Sequence, residues 1–457
     1  MKSKMILPVL AILLLAACIP QSQDQQATTP LAETLSTVTD TPTPTEAATS
    51  IPMPTTQPTL TVTPSSTATG TSAPESLQTS TWRWIEMFDL TTGWGVASDG
   101  AVFRMTAEME GWQQVTPPDA AIADQVLTSF LDPQRAWLIY HGDPIPMDGP
   151  WDVWHTVDGG QSWTQASIAS PTQEGLALIE MFFVDANNGW VLGQIYPGMN
   201  QVFAVLYATS DGGDTWQLIS NPMAPSGPTE TNLPGSYSLP FGGQPLAFIS
   251  PQVGFTGGDS LYKTEDGGIT WQAQQIPAPT DPPPLEQPFA YVSPPRFSTA
   301  ESGIFQYLVF DFNQVYCPPC DIFAAPPVAT YVYLTQDSGE TWTPHAAPGL
   351  VGMAGMLDAE TAWFLGREQP TQPGTNLYLS RDLGAMWIVQ SQDTILPLGT
   401  SIYFTSIETG FAFNPFLSQG FNMYQVSDMV NLAGQEAYFY FTEDAGATWA
   451  PFAPAYP

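Results

Sequence analysis

The chain has 457 residues, with 9 Lys and Arg against 43 Asp and Glu, and its formal net charge is −34. Nucleic-acid binding needs clustered basic side chains, so this charge excludes a nucleic-acid partner. It also argues against docking of the folded part onto anionic lipid headgroups. Its ordinary role is to keep a protein soluble.

Residues 1–17 are predicted to be a signal peptide. Lys2 and Lys4 precede an apolar run from 5 to 17 that is too short to span a membrane as a mature helix. The run leads into Leu-Ala-Ala-Cys at 15–18, which resembles the lipobox of bacterial lipoproteins. This resemblance implies cleavage before Cys18 and a lipid anchor on its thiol, and two or three acyl chains anchor a protein stably. We therefore expect a protein outside the cytoplasm, at the bacterial cell membrane or surface. The alternative is an ordinary signal peptide with a chance cysteine.

Residues 18–80 are predicted to be a disordered linker. They are rich in Thr, Pro, Ser, Ala and Gln, and residues 19–80 contain no Lys or Arg. Such a segment cannot bury enough apolar surface to fold, and its prolines favour an extended stalk. The composition also permits O-glycosylation. The predicted organisation is an anchor, a stalk and a folded part over 81–457.

Within the folded part, the pattern Thr/Ser-x-Asp-x-Gly-x-x-Trp occurs six times, from 156, 209, 264, 335, 380 and 442. Each copy is predicted to be a tight turn, because its Asp can accept backbone N–H bonds of the turn and its Gly can adopt a positive φ. The Trp then brings apolar surface to the next strand. The predicted structural residues are Asp158, Asp211, Asp266, Asp337, Asp382 and Asp444, with Trp163, Trp216, Trp271, Trp342, Trp387 and Trp449.

A second repeat alternates with these turns and occurs seven times. A small residue precedes a large apolar one, as in Gly93-Trp94, and a Met or Phe stands seven residues before the apolar residue. Only the first copy lacks a proper turn after it, and Trp112 stands there at the equivalent Trp position. Each unit contains four short β-branched and aromatic runs without a helical period. The sequence therefore predicts an all-β fold, a propeller of seven four-stranded antiparallel blades, which closes by packing blade 7 on blade 1 without a shared strand.

The six turns are identified as Asp boxes, the bacterial neuraminidase repeat, and residues 82–457 resemble Asp-box propellers. Members of this superfamily include sialidases and xyloglucanase-type enzymes. The repeat form GW…TxDGGxTW also resembles the propellers of the photosynthesis system II assembly factor family. That resemblance implies an extracytoplasmic, non-catalytic fold that binds partner proteins.

Sialidases hold the carboxylate of sialic acid with three arginines near the axis, beside a Tyr/Glu nucleophile pair and an acid Asp. Here Arg381 lies inside an Asp box and Arg135 in a turn on the same face. Arg83 and Arg296 remain as axial candidates, with Glu86 and Glu180 as carboxylates. We therefore assign no catalytic residue and no cofactor. A non-catalytic module that binds an extracellular protein or glycan is favoured, and a sialidase-like glycoside hydrolase is the alternative.

The long insertions are predicted on the face opposite the Asp boxes. Those between the second and third strands cover 140–152, 310–330 and 412–437, and those between blades cover 220–245 and 274–296. Loops on a rigid scaffold commonly carry specificity. The candidate ligand face consists of Tyr140, Trp151, Tyr237, Tyr291, Tyr316 and Tyr424. The alternative is that these rings pack the loops onto the propeller.

Cys317 and Cys320 form a Cys-Pro-Pro-Cys pair in one of these insertions. A structural disulfide is favoured in an oxidising compartment. A redox pair needs a helix N-terminus, and a zinc site needs two further ligands. The six Asp-box carboxylates are spread around the rim and have local donors, so we predict no metal site. We expect a monomer.

Overall fold

The structure is a computed structural model that describes residues 82–107, 111–123, 125–141, 150–169, 176–198, 201–220, 245–286, 288–311, 326–413 and 439–451. The predicted signal peptide, Cys18, the linker, and Cys317 with Cys320 lie outside the described residues. Within these ranges the regular elements are 29 β-strands. The described part of the chain contains no helix long and apolar enough to cross a membrane.

Seven antiparallel sheets follow one another along the chain, and in six of them four strands pair in chain order, which confirms the predicted seven-bladed propeller. Blade 1 comprises β1 (Trp82–Met87), β2 (Gly93–Ala97), β3 (Val102–Met105) and β4 (Gln113–Gln114), and blade 2 comprises β5 (Gln125–Phe130), β6 (Ala136–His141), β7 (Trp151–Thr156) and β8 (Thr164–Ile168). Blade 3 comprises β9 (Leu176–Phe183), β10 (Gly189–Gly198), β11 (Gln201–Thr209) and β12 (Gln217–Ser220). Blade 4 comprises β13 (Leu246–Phe248), β14 (Gly254–Thr256), β15 (Tyr262–Thr264) and β16 (Gln272–Ala273).

Blade 5 comprises β17 (Pro288–Val292), β18 (Arg296–Phe297), β19 (Gly303–Asp311), β20 (Ala329–Thr335) and β21 (Thr343–Ala346). Blade 6 comprises β22 (Val351–Met356), β23 (Ala362–Arg367), β24 (Thr375–Ser380) and β25 (Ile388–Thr394). Blade 7 comprises β26 (Ser401–Phe404), β27 (Gly410–Phe413), β28 (Phe439–Thr442) and β29 (Ala450–Pro451). First strands contact one another at the boundaries between blades 2 and 3, 5 and 6, and 6 and 7. These first strands are therefore the inner strands, which surround the propeller axis.

The inner strand of blade 5 is divided into β17 and β18, which both pair with β19. The prediction of an insertion over 274–296 is therefore wrong for its second part. Two prolines, Pro294 and Pro295, follow Ser293 and cannot donate to the ladder, so they separate the two segments. Ser293 bridges the gap, because its N–H donates to the carbonyl of Gln306 at 2.8 Å.

The second sequence repeat builds the core between blades. The ring of Trp137 in blade 2 stacks on Phe183 in blade 3 with centroids 3.7 Å apart, and Trp190 stacks on Phe248 of the following blade at 3.6 Å. The small residue before the large one leaves room for the blade's own Met or Phe: a Cβ on Gly189 would lie 2.6 Å from the Phe183 ring. The repeat is thus a packing motif across blade boundaries.

Blade 7 closes the ring on blade 1 without a shared strand, as expected. The ring of Trp84 in β1 meets Phe413 in β27 edge to face at 4.8 Å. The N–H of Met87 donates to the Tyr403 hydroxyl at 2.8 Å. Both contacts join the first blade to the last.

Candidate functional site

The Asp boxes are self-contained hydrogen-bonded turns. In the third box, Asp266 Oδ1 accepts the N–H of Thr270 at 2.8 Å and the hydroxyl of Thr264 at 2.9 Å, while Oδ2 accepts the Thr270 hydroxyl at 2.6 Å. Burial acts to raise the pKa of Asp266, but these bonds outweigh it and hold the pKa below its usual value. Four other boxes repeat this arrangement.

The fifth box has one bond fewer. Asp382 accepts the N–H of Met386 at 2.9 Å and the hydroxyl of Ser380 at 2.8 Å, but Met386 has no hydroxyl to donate. The backbone bond from Met386 is the main cause of the lowered pKa of Asp382. Among the described residues, no three His, Cys, Asp or Glu side chains come together as a metal site. The box carboxylates are engaged in their own turns.

Two of the box tryptophans donate their ring N–H to the Gly of their own box: Trp216 bonds Gly213 and Trp271 bonds Gly268. Trp163 donates instead to the carbonyl of Val115 at 2.7 Å. Trp112, which replaces a box Trp in blade 1, is buried against Trp82 with centroids 4.8 Å apart. The tryptophans therefore serve as packing groups of the outer strands.

Three of the six candidate ligand-face rings are described, and all three lie in strands. Trp151, only 3% exposed, packs in the core between blades 2 and 3 and so does not present its ring to a ligand here. Tyr140 is half-buried, and its hydroxyl donates to the carbonyl of Gly100 at 3.1 Å. Tyr291 pairs with Leu308 in blade 5. Tyr237, Tyr316 and Tyr424 lie outside the described residues.

Side chains of the inner strands join blade 2 to blade 3, blade 3 to blade 4, and blade 7 to blade 1. Ser129 Oγ accepts the N–H of Phe183 at 3.2 Å, and Glu180 accepts the N–H of Leu246 at 3.0 Å. The Tyr403 bond to Met87 at the ring closure belongs to the same set. Sequence reasoning missed Ser129 and Tyr403. Both stand directly before the Met or Phe of the second repeat, and this shared position was the available signal.

Glu86 and Glu180 are both half-buried at inner strands, and burial raises the pKa of each to about 7. A hydrogen bond from Trp84 partly offsets this effect for Glu86, and the Leu246 N–H does so for Glu180. Both carboxyls therefore titrate near neutral pH. A perturbed carboxyl of this kind is a candidate functional group, although structural networks produce such shifts as well.

A cavity of about 580 Å³ opens beside the inner strands of blades 5, 6 and 7. The turns after these strands form its rim, which places it on the Asp-box side of the propeller. Arg296 and Tyr403 line it, together with apolar side chains of the inner strands. No other described arginine lines this cavity. Arg104 instead donates to the carbonyl of Gly159, and Arg135 pairs with Asp132 at 2.6 Å, so the described residues do not assemble a sialidase-like arginine cluster there.

No protein-family model matches the chain. The curated photosystem II assembly lipoprotein Ycf48 of Synechococcus sp. (strain CC9902) is 29% identical over 182 residues, which are 39% of this chain and 45% of that protein. The match thus spans less than half the length of that relative.

Several solved structures are similar at low identity. A YCF48 bound to D1 peptide is 15% identical, with a TM-score of 0.41, over 73% of this chain and 88% of that one. YCF48 from Cyanidioschyzon merolae is 17% identical, with a TM-score of 0.40, over 75% and 88%. The GH74 enzyme of Niastella koreensis is 15% identical, with a TM-score of 0.48, over 80% and 53%. The chain is a seven-bladed β-propeller, similar in sequence over 39% of its length to a Ycf48 assembly lipoprotein.

Proposed function

We propose that this protein is an extracytoplasmic propeller, anchored to the membrane by a lipid on Cys18, that binds a partner protein without catalysis. The sequence match to a Ycf48 assembly lipoprotein supports this role. The observation that carries the proposal is that polar side chains of the inner strands form hydrogen bonds between blades. Ser129, Glu180 and Tyr403 hold neighbouring blades together, so these side chains build a rigid ring.

The proposed partner face is the one opposite the Asp boxes, where the predicted insertions fall. The near-uniform Asp-box turns leave little room for variation in shape, whereas long loops on a rigid ring provide it. A glycan is the second ligand class for this face. The linker 18–80 would act as a stalk that holds the ring away from the membrane.

The test is capture of the partner from native membranes with tagged full-length protein. Two variants replace 222–243 or 414–437 with short Gly-Ser linkers. The second replacement begins at 414 because Ala412 and Phe413 are buried strand residues. We expect both variants to lose the partner with little change in melting temperature. The proposal fails if both loop variants still capture the partner while Arg381→Ala or Glu443→Ala, on the Asp-box face, loses it. That result would place the interface on the Asp-box face.

A glycoside hydrolase is the second candidate, and the pKa of about 7 at Glu86 and Glu180 favours it. A general acid in glycoside hydrolysis is a carboxyl that stays protonated near neutral pH. The test is a screen of aryl glycosides and sialosides with the wild type, Glu86→Gln and Glu180→Gln. We expect no turnover in any of them. Turnover in the wild type that either substitution removes would establish the enzyme.

A further inference from the structure

Arg296 stands at an inner-strand position that elsewhere joins two blades. It directly precedes Phe297, as Ser129 precedes Phe130 and Tyr403 precedes Phe404. The Ser129 and Tyr403 side chains accept an N–H of the next blade, but a guanidinium has only donors and cannot do so.

The connection between blades 5 and 6 is made by a different residue. Gln306 Nε2 donates to the carbonyl of Gly352 at 3.1 Å, and its Oε1 accepts the N–H of Ala354 at 3.3 Å. Arg296 is therefore not needed to hold these blades together.

No described acceptor pairs with the Arg296 guanidinium, although the chain has 43 Asp and Glu. Asp358 lines the same cavity, but its Oδ1 accepts the N–H groups of Glu360 at 2.8 Å and Thr361 at 2.7 Å within its own turn. Arg296 is an exposed residue, although the protein groups packed around its guanidinium desolvate it in part and lower its pKa. The guanidinium is therefore free to pair with an anion that enters the cavity.

The remaining walls suit an organic anion. Phe297, Met356, Ile402 and Phe404 line it with apolar side chains, and Ser298, Thr299, Thr405 and Ser406 add polar residues to the lining. Gly355 has no side chain, and the Trp363 ring takes up that space, since a Cβ there would lie 2.5 Å from the ring. The volume of about 580 Å³ is in the range of small-molecule sites.

We infer that this cavity binds a carboxylate carried next to an apolar group, with the Arg296 guanidinium pairing with the carboxylate and the aromatic and aliphatic walls covering its neighbour. The site lies on the Asp-box side, away from the proposed partner face, and does not depend on it. The chain's net charge of −34 does not prevent binding, because charges more than about 8 Å away are largely screened at physiological salt. Such a carboxylate is found on a free aromatic or aliphatic acid and at the C-terminus of a polypeptide.

The experiment measures binding to the full-length protein by calorimetry or ligand-observed NMR. The probes are N-acetyl-L-phenylalanine, its amide, and acetyl-Ala-Ala-Phe with a free carboxylate. The acid is expected to bind roughly ten- to hundredfold more tightly than the amide, as a charge-assisted pair requires. Tighter binding of the peptide than of the single residue identifies a polypeptide terminus as the source, and equal binding identifies a free acid.

Arg296→Gln should remove the preference for the acid, and Arg296→Lys should keep part of it, because lysine retains the charge without the planar fork. Arg381→Gln, an exposed arginine inside an Asp box, is the matched control and should change nothing. Melting curves show whether each variant is folded. Equal binding of acid and amide, a preference that survives Arg296→Gln, or no binding of any probe at millimolar concentration overturns the inference.

Discussion

Replacing Asp266 with alanine removes the three hydrogen bonds that hold the third Asp box, two from Thr270 and one from Thr264. A hydrogen bond contributes about 1 kcal/mol net to stability. Thr270 is partly open to water, which replaces some of the lost bonding. The expected loss is therefore about 1–2 kcal/mol at pH 7. Because the folded-state pKa of Asp266 is lowered, this contribution is present above the unfolded pKa and disappears as pH falls through the folded value.

The assay is thermal unfolding followed by circular dichroism. An unfolding entropy of about 2.1 cal/mol/K per residue gives about 0.8 kcal/mol/K for the ring over 82–451, so the melting temperature should fall by about 1–3 °C. Asp382→Ala is the matched control and should cause a smaller shift, because Met386 provides no hydroxyl. An equal or larger shift in Asp382→Ala would refute the reasoning, and so would a calcium-dependent shift that Asp266→Ala abolishes.

Three further predictions concern charge, ring closure and the anchor. Glu180→Gln and Glu86→Gln should raise the melting temperature at pH 8 and leave it unchanged at pH 4. Each carboxyl has a folded pKa of about 7 against 4.5 unfolded, so its contribution to stability falls as pH rises between these values. The same shift in melting temperature at both pH values would contradict this. Tyr403→Phe leaves the Met87 N–H without its acceptor and should cost about 1–3 kcal/mol, measured by urea unfolding; no loss would argue against this bond closing the ring. Cys18→Ser should release the protein from membranes and abolish fatty-acid labelling, and continued labelling would exclude the anchor.

The number of blades and the position of the core were predictable because both repeats are local in sequence. At three boundaries a Trp at the start of a second strand stacks on the Phe that ends the inner strand of the next blade, as Trp137 does on Phe183. The regular spacing of the repeats therefore determines which surfaces meet.

Some local features were not predicted. A positive φ was expected only at the Gly two residues after each Asp, yet the preceding residue adopts it too, including Ser338, Leu383 and Ala445 with φ of 60°, 55° and 57°. L-residues rarely adopt that conformation, and the signal for it was the Gly at the same position in the first three boxes, where Gly159, Gly212 and Gly267 also have positive φ. Trp151 was assigned to a ligand face because it lies within the predicted insertion 140–152, but it begins a buried strand.

The axial cavity depends on contacts between blades. The missing partner of Arg296 follows from Gln306 bonding to blade 6 and from Asp358 bonding within its own turn. Gln306 lies on the strand that pairs with the Arg296 strand in blade 5, whereas Asp358 lies far along the sequence and across the boundary to blade 6. The sequence named Arg296 as axial, but only the structure shows that it is unpaired.

The central claim is that a rigid ring binds a partner protein through its loop face, and photo-crosslinking in living cells tests it most directly. A benzophenone amino acid is placed at Tyr237 or Tyr424 on the predicted loop face, and at Glu443 on the Asp-box face as the control. We predict that both loop positions crosslink to the same protein and that Glu443 does not. Crosslinks from Glu443 alone, or no protein crosslink from the loop positions together with turnover of a glycoside by the purified protein, would contradict the account.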